Sequence, residues 1–400
     1  MDGDDHRPRT TVVRRGAAVG AFRVTASPVR VAWFGHAEGR RADGLSTYSR
    51  EVVGALAARG LEVRFFSHDA DGDVVPASAV QLRALRVKTL TVSLPGSRER
   101  IEETLAELRP DIVHCSWSFS TLDGEIARMA HAAGAATVAT FHLPYAAPRS
   151  ARGRVLRGLY RWHVRNLSEY DHCVALSEDQ RQLITTAGYP SERVTVIHNA
   201  VDTDAISPGD SDLRRRLGAR FVVAYMGRLD PEKRIPALVR TFLDLGWPED
   251  HVLVIAGGGA HDRRLRRMVA DQPNVLMLGV VTDPTLRLEL LRAADVYVLP
   301  STAEGLALSM LEAMSAGCAV VATEAGEDGP ALGDAGIRLP VTPLEPHLGD
   351  ALRRLRDDAG LRAELGARAR ARVLEHFALT AGIDRLVDLY TQLRAARAAA

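Results

Sequence analysis

A charge imbalance is the first thing this sequence lacks. Its 400 residues carry 51 Lys plus Arg against 50 Asp plus Glu, a net charge of +1. That balance supplies no long-range field for holding nucleic acid, so a nucleic-acid partner is not expected. Cysteine is scarce. Cys115, Cys173 and Cys318 are odd in number, widely spaced and set among apolar residues. They read as free thiols packed as small hydrophobes rather than as a disulfide framework, which fits a reducing, cytoplasmic setting. No run of about 18 apolar residues occurs, so no spanning segment is expected. A Gly-x-x-x-x-Gly-Lys-Ser/Thr loop is also missing. The Gly257-Gly258-Gly259 run follows a strand pattern without a dinucleotide fingerprint or ribose acid, which weakens ATP-loop and NAD readings. The Asp-rich pieces Asp69–Asp73 and Asp202–Asp204 sit in turn-like sequence, where Asp serves the backbone; no metal site and no cofactor is expected.

What is present is a balanced globular composition, 46% hydrophobic and 25% charged. A single core stops growing at roughly 250–300 residues, so two domains are expected. Short β-branched runs alternate with helical stretches in two series, the pattern of parallel βαβ units. The first series places strands at Val29–Phe34, Leu61–Phe66, Asp111–Cys115, Ala136–Phe141, His172–Leu176 and Val194–Ile197. The second places them at Phe221–Met226, His251–Ala256, Val275–Gly279, Asp295–Leu299, Ala319–Ala322 and Gly336–Leu339. The expected organisation is a mobile tail (1–28), a Rossmann-like domain (29–203), a second Rossmann-like domain (204–375) and a final helix (376–400). That helix carries Ile383, Leu386, Val387 and Tyr390 on one stripe and returns to the first domain. The fold class is α/β, two doubly wound domains facing a central cleft, with the ligand beyond the carboxyl ends of the strands.

The densest chemistry lies in DVYVLPSTAEGLALSMLEAMSAG, Asp295–Gly317. It reads as a strand stopped by Pro300, a loop with Glu304 and Gly305, and a helix closing at Gly317. Leu306, Met310, Ala313 and Met314 form a stripe, and Leu308 and Leu311 fill much of the rest, so the helix is expected to be buried. Glu312 in such a helix needs donors. An Arg across the domain would serve, and so would a ribose diol. Glu304 lies where the amides of Gly305, Leu306 and Ala307 would point at a bound anion. In FVVAYMGRLDPEKRIPALVRTF, Asp230 and Pro231 mark a helix start and put Lys233 and Arg234 in its first turn. Cations oppose the macrodipole there, an arrangement that a bound anion would reverse; exposed surface charge is the alternative.

Two glutamates with seven residues between them, in the setting strand, Pro-Ser, Glu-Gly, helix, Glu-Ala-Met, resemble the signature of the retaining glycosyltransferase family 4, whose fold is called GT-B. The resemblance runs from about Val29 to Tyr390. It implies that Glu304 lies by the donor sugar, that Glu312 binds the nucleotide ribose, and that Arg228 and Lys233 neutralise the diphosphate. Gly-Leu-x-x-Tyr-x-x-x-Val at Gly44–Val52 resembles the family's phosphate-side loop, with Asp43 in place of the first glycine of its pair. Gly44 is then the point of backbone approach. ATFHLPY resembles the Thr-x-His motif and assigns His142 to the donor sugar. His198-Asn199-Ala200-Val201-Asp202 resembles a segment read as structural. Catalytic candidates are therefore Glu304, His142, Arg228 and Lys233. Donor-binding candidates are Gly44, Arg228, Lys233, Val281, Glu304, Gly305, Leu306, Ala307, Leu308 and Glu312.

The resemblance implies a hexosyltransferase that uses a nucleotide-sugar donor and a lipid, glycan or small-metabolite hydroxyl acceptor, with retention and without a metal. A sugar-nucleotide epimerase, a phosphorylase and a turnover-dead binding protein are the alternatives. The basic amphipathic stretch 149–165 suggests either peripheral membrane contact or a solvated face.

Overall fold

The computed structural model describes residues 27–35, 44–69, 79–87, 90–117, 120–142, 164 and 166–399. The stretch 149–165 apart from Val164, nearly all of the tail, Asp43 and most of the segment 69–73 lie outside these. The first sheet contains β1 (Arg30–Gly35), β2 (Glu62–Asp69), β3 (Val80–Val87), β4 (Leu90–Ser93), β5 (Ile112–Trp117), β6 (Ala136–Phe141), β7 (His172–Ala175) and β8 (Val194–Val196). Its order is β4-β3-β2-β1-β5-β6-β7-β8, parallel except for the antiparallel β3–β4 edge. The second sheet contains β9 (Phe221–Met226), β10 (His251–Ala256), β11 (Val275–Gly279), β12 (Val296–Leu299), β13 (Ala319–Thr323) and β14 (Ile337–Leu339). Its order is β11-β10-β9-β12-β13-β14, parallel throughout.

Strands covered by helices on both faces have no polar side, which is why β5, β6, β9 and β13 are buried at every residue. The sequence reading missed β3 and β4. β3 alternates exposed Gln81 and Arg83 with buried Val80 and Leu82, the habit of an edge hairpin rather than of a covered parallel strand.

Strand order reverses between β1 and β5 and again between β9 and β12. The residues that follow β6 and β7 in the first half and β9, β10, β11 and β12 in the second line one cleft. The chain crosses between the halves twice, side by side. Val201 N donates to Phe377 O at 3.0 Å, and Leu379 N donates to Val201 O at 2.9 Å. The last helix, Leu379–Ala398, then buries Ile383, Leu386, Leu389 and Tyr390 among Val31, Trp33, Tyr48 and Leu56 of the first half. The apolar stripe expected to return to the first domain does so. All three cysteines are buried free thiols. No described helix is long and apolar enough to cross a membrane.

Candidate functional site

The floor of the cleft is made by loops that only glycine permits to meet. Gly257, at φ 147°, lies against the turn after β9, and a Cβ there would fall 1.8 Å from Gly227 O. On the other side Gly326, at φ 59°, lies against the loop after β12, where a Cβ would fall 2.0 Å from Glu304 O. Both positions need the left-handed region and empty space together. The triple glycine, set aside as a dinucleotide fingerprint, is therefore part of the cleft wall.

Leaving β9, the Arg228 carbonyl accepts a hydrogen bond from Tyr225 Oη at 2.6 Å, and its guanidinium pairs with Asp230 and, at 3.0 Å, with Glu232. The helix start expected at Asp230–Pro231 is instead a 3-10 turn, Pro231–Lys233. The α-helix runs Ile235–Asp244 behind Arg234, which adopts φ 54°. Lys233 and Arg234 thus precede the α-helix rather than occupying its first turn. Asp230 makes no side-chain cap; its Oδ1 accepts from Ala260 N at 3.1 Å. Arg234 turns away to the Val341 carbonyl, while Lys233 turns inward and pairs with Glu304. Both members of that pair are nearly buried, at 12% and 10% side-chain exposure. Ser301 Oγ donates to the same Glu304 oxygen at 2.5 Å.

The loop after β12 is clamped from behind. Glu327 N donates to Gly305 O, and Ala307 N donates to Asp328 Oδ1, each at 2.9 Å. The Ala307 amide is therefore engaged inside the protein and does not point at an anion as the sequence suggested. The free helix start is one residue later, at Leu308, in the helix Leu308–Ser315. Burial, with the Glu304 charge nearby, pushes the Asp328 carboxyl well above the usual carboxylate range.

Glu312 is 2% exposed. One oxygen pairs with Arg287, and Oε2 is buried without a hydrogen-bond partner among the described residues. Of the two partners open to it from sequence, an arginine is thus in place. Burial raises its carboxyl, and the charges of Arg287 and Arg50 oppose the rise.

On the first-half side, the helix Gly44–Ala58 begins at the cleft, and a Cβ on Gly44 would find Leu308 Cδ1 of the opposite half at 3.9 Å. Two helix N-termini therefore face one space, which favours an anion between them. His142 follows β6 and packs edge-on against Tyr48, ring centres 4.6 Å apart. Tyr48 bonds Thr140, and burial pushes its hydroxyl up to about 12. Thr140 Oγ1 lies 2.7 Å from His114 Nε2, and Tyr390 Oη lies 2.5 Å from His114 Nδ1. A buried polar chain thus ties the cleft wall to the last helix. Asn199, read as structural, also spans the halves: its Nδ2 donates to Leu306 O at 2.9 Å.

Gly44, His142, Arg228, Lys233, Val281, Glu304, Gly305, Leu306, Ala307, Leu308 and Glu312 all line one cavity of about 690 Å³. Arg287, Ser177 and Gln180 line it too and were not singled out from sequence. Among the described residues, no group of three His, Cys, Asp or Glu side chains is placed to hold a metal ion.

The family described as Glycosyltransferase Family 4 matches residues 42–205, and that described as Glycosyl transferases group 1 matches residues 220–358. The chain is 29% identical over 406 residues to the D-inositol 3-phosphate glycosyltransferase of Acidothermus cellulolyticus, covering 90% of this chain and 88% of that one. It shares its fold with the sucrose-phosphate synthase of Thermosynechococcus elongatus, at a TM-score of 0.71 and 20% identity over 92% of this chain and 100% of that one. It also shares it with Anabaena HepE, solved with UDP and glucose, at a TM-score of 0.72 and 17% identity over 91% and 99%. The chain is a glycosyltransferase of the GT-B fold and belongs to the family 4, group 1 glycosyltransferases.

Proposed function

We propose that the cleft binds a nucleotide diphosphate sugar and transfers its hexose to an acceptor hydroxyl with retention of anomeric configuration. The observation that carries this reading is the row of partly neutralised cations, Arg228 and Lys233, set beside two facing helix N-termini and the unpartnered oxygen of Glu312. A diphosphate needs the cations and the helix ends; a ribose hydroxyl needs the acceptor oxygen.

In this reading the bond between the anomeric carbon and the diphosphate oxygen breaks, and the growing negative charge falls on Arg228 and Lys233. The acceptor hydroxyl adds to the same face of the sugar, and its proton passes to the departing diphosphate oxygen. Glu304, held by Lys233 and Ser301, and His142, on the opposite wall, position the sugar between the halves. No protein nucleophile and no cofactor takes part, and the charge is carried by side chains and helix ends rather than by a metal ion. UDP is the first nucleotide to assay, because it is the one bound by HepE; a cyclitol phosphate is the first acceptor, because the Acidothermus relative is named for one.

The test is the anomer of the product, read by proton NMR during transfer from an α-linked donor. An α product is expected. A β product contradicts retention, and donor left intact with every acceptor contradicts transfer itself.

A further inference from the structure

The loop segment Glu304–Ala307 is anchored at three consecutive residues after Glu304. Two anchors come from its own half: Glu327 N donates to Gly305 O, and Ala307 N donates to Asp328 Oδ1. The third comes from the opposite half, where Asn199 Nδ2 donates to Leu306 O at 2.9 Å. Leu306 needs that anchor, because it lines the cleft and also a second cavity of about 390 Å³ beside the crossover. A residue with space on two sides lacks the close contacts that would fix it by packing alone.

Asn199 is itself held by the crossover. His198 Nδ1 lies 3.1 Å from Leu176 O, and its ring packs edge-on against Phe377, centres 6.0 Å apart. Two residues beyond Asn199, Val201 bonds both Phe377 and Leu379. The side chain thus links the place where the chain passes between the halves to the loop that carries Glu304. Its amide makes this one bond and forgoes another, since Oδ1 is buried without a hydrogen-bond partner among the described residues. The reverse orientation would set two oxygens face to face, which assigns Nδ2 to Leu306. An unpaired buried acceptor is costly, so the donor is what this position contributes.

We propose that Asn199 is a positioning residue for sugar transfer: its amide N–H ties the Leu306 carbonyl to the crossover, and so couples the placement of Glu304 to the relative position of the two halves. That Glu304 stands beside the sugar rests on the functional reading above; the contact that places it does not.

Two variants of the full chain test this. Asn199→Ala removes the donor. Asn199→Asp keeps the shape and donates only when its carboxyl is protonated, a form that burial and the facing carbonyl favour. The first readout is backbone hydrogen exchange without ligand, followed by mass spectrometry over residues 303–309, each variant against wild type at the same pH. Asn199→Ala should exchange about threefold to tenfold faster than wild type at both about pH 5.5 and about pH 8.5, the effect of one lost hydrogen bond. Asn199→Asp should match it at the higher pH and return to within about twofold of wild type at the lower. Exchange over β13 should stay at the wild-type level, which shows that both variants are folded. An unchanged rate in Asn199→Ala, or an Asn199→Asp protein no better protected at the lower pH than Asn199→Ala, overturns the proposal whatever the enzyme transfers, because exchange needs no substrate. The second readout is steady-state turnover of UDP-glucose with a cyclitol phosphate acceptor. In Asn199→Ala kcat should fall about tenfold while KM for the donor changes less than about twofold, and Asn199→Asp should close most of that gap as the pH falls. A loss confined to KM overturns the positioning role. A wild type that leaves every nucleotide sugar intact overturns the functional reading, and the exchange result still decides the contact.

Discussion

Lys233 carries two duties in the cleft. It neutralises the nearly buried Glu304, and it faces the space assigned to the diphosphate. Removing it strips the transition state of charge stabilisation and leaves the Ser301 hydroxyl to donate to Glu304 without a counter-ion beside it. Lys233→Ala should therefore lower kcat by about 10²–10³, the scale of a lost preorganised donor, while KM for the donor changes far less. Steady-state kinetics checks it, and an equal loss confined to KM would assign Lys233 to ground-state binding only. Glu51 gives a pH dependence of stability. Its carboxyl rises from an ordinary 4.5 to about 7, because burial and Glu312 disfavour its charge. The native state thus holds a proton that the unfolded chain has lost between those values, and stability falls as pH rises through that window. Glu51→Gln removes the penalty, so it should raise Tm relative to wild type at pH 8 and much less at pH 5. A gain that is the same at both pH values would contradict the assignment.

Loops, more than helices or strands, set the geometry of this cleft. The turn Gly326–Asp328 grips the Glu304–Ala307 segment through two hydrogen bonds and a backbone approach that leaves no room for a side chain. Gly326→Ala meets backbone rather than a flexible side-chain end, and at φ 59° it also forces a left-handed conformation on alanine. The expected cost is about 1–3 kcal/mol of stability, read as a lower Tm. Sugar transfer should fall further than that loss explains, because the segment carrying Glu304 moves. A variant with lowered Tm but unchanged kcat would separate the clamp from the chemistry.

At the scale of the whole molecule, two largely parallel sheets meet across a cleft lined by residues beyond the carboxyl ends of their strands, and the last helix docks on the half in which the chain began. Much of this was legible. Strands covered on both faces announce themselves as apolar runs, and β6, β9, β10 and β11 begin and end where those runs do. The β3–β4 edge was not legible, because an edge hairpin alternates polar and apolar residues over too few positions. Of the residues carried over by motif, Arg228, Lys233, Glu304 and Glu312 stand in one cavity, since local spacing places the first three in the loops after the neighbouring strands β9 and β12 and Glu312 on the helix that follows β12. Their partners were hidden. Arg287 meets Glu312 across 25 residues, and Asn199 meets Leu306 across 107, distances at which only the tertiary fold brings side chains together. The engagement of the Ala307 amide was hidden for the same reason, because its acceptor, Asp328, arrives on the next crossover.

The central claim is that the space between the halves holds a nucleoside diphosphate. Thermal unfolding of the wild type and of Glu312→Ala with UDP, GDP, ADP and dTDP tests it most directly, since a ligand at 100 times its Kd adds about 2.7 kcal/mol to stability. One nucleotide should raise the wild-type Tm by several degrees, and the variant should lose that rise. No rise with any nucleotide, or an undiminished rise in Glu312→Ala, would contradict it.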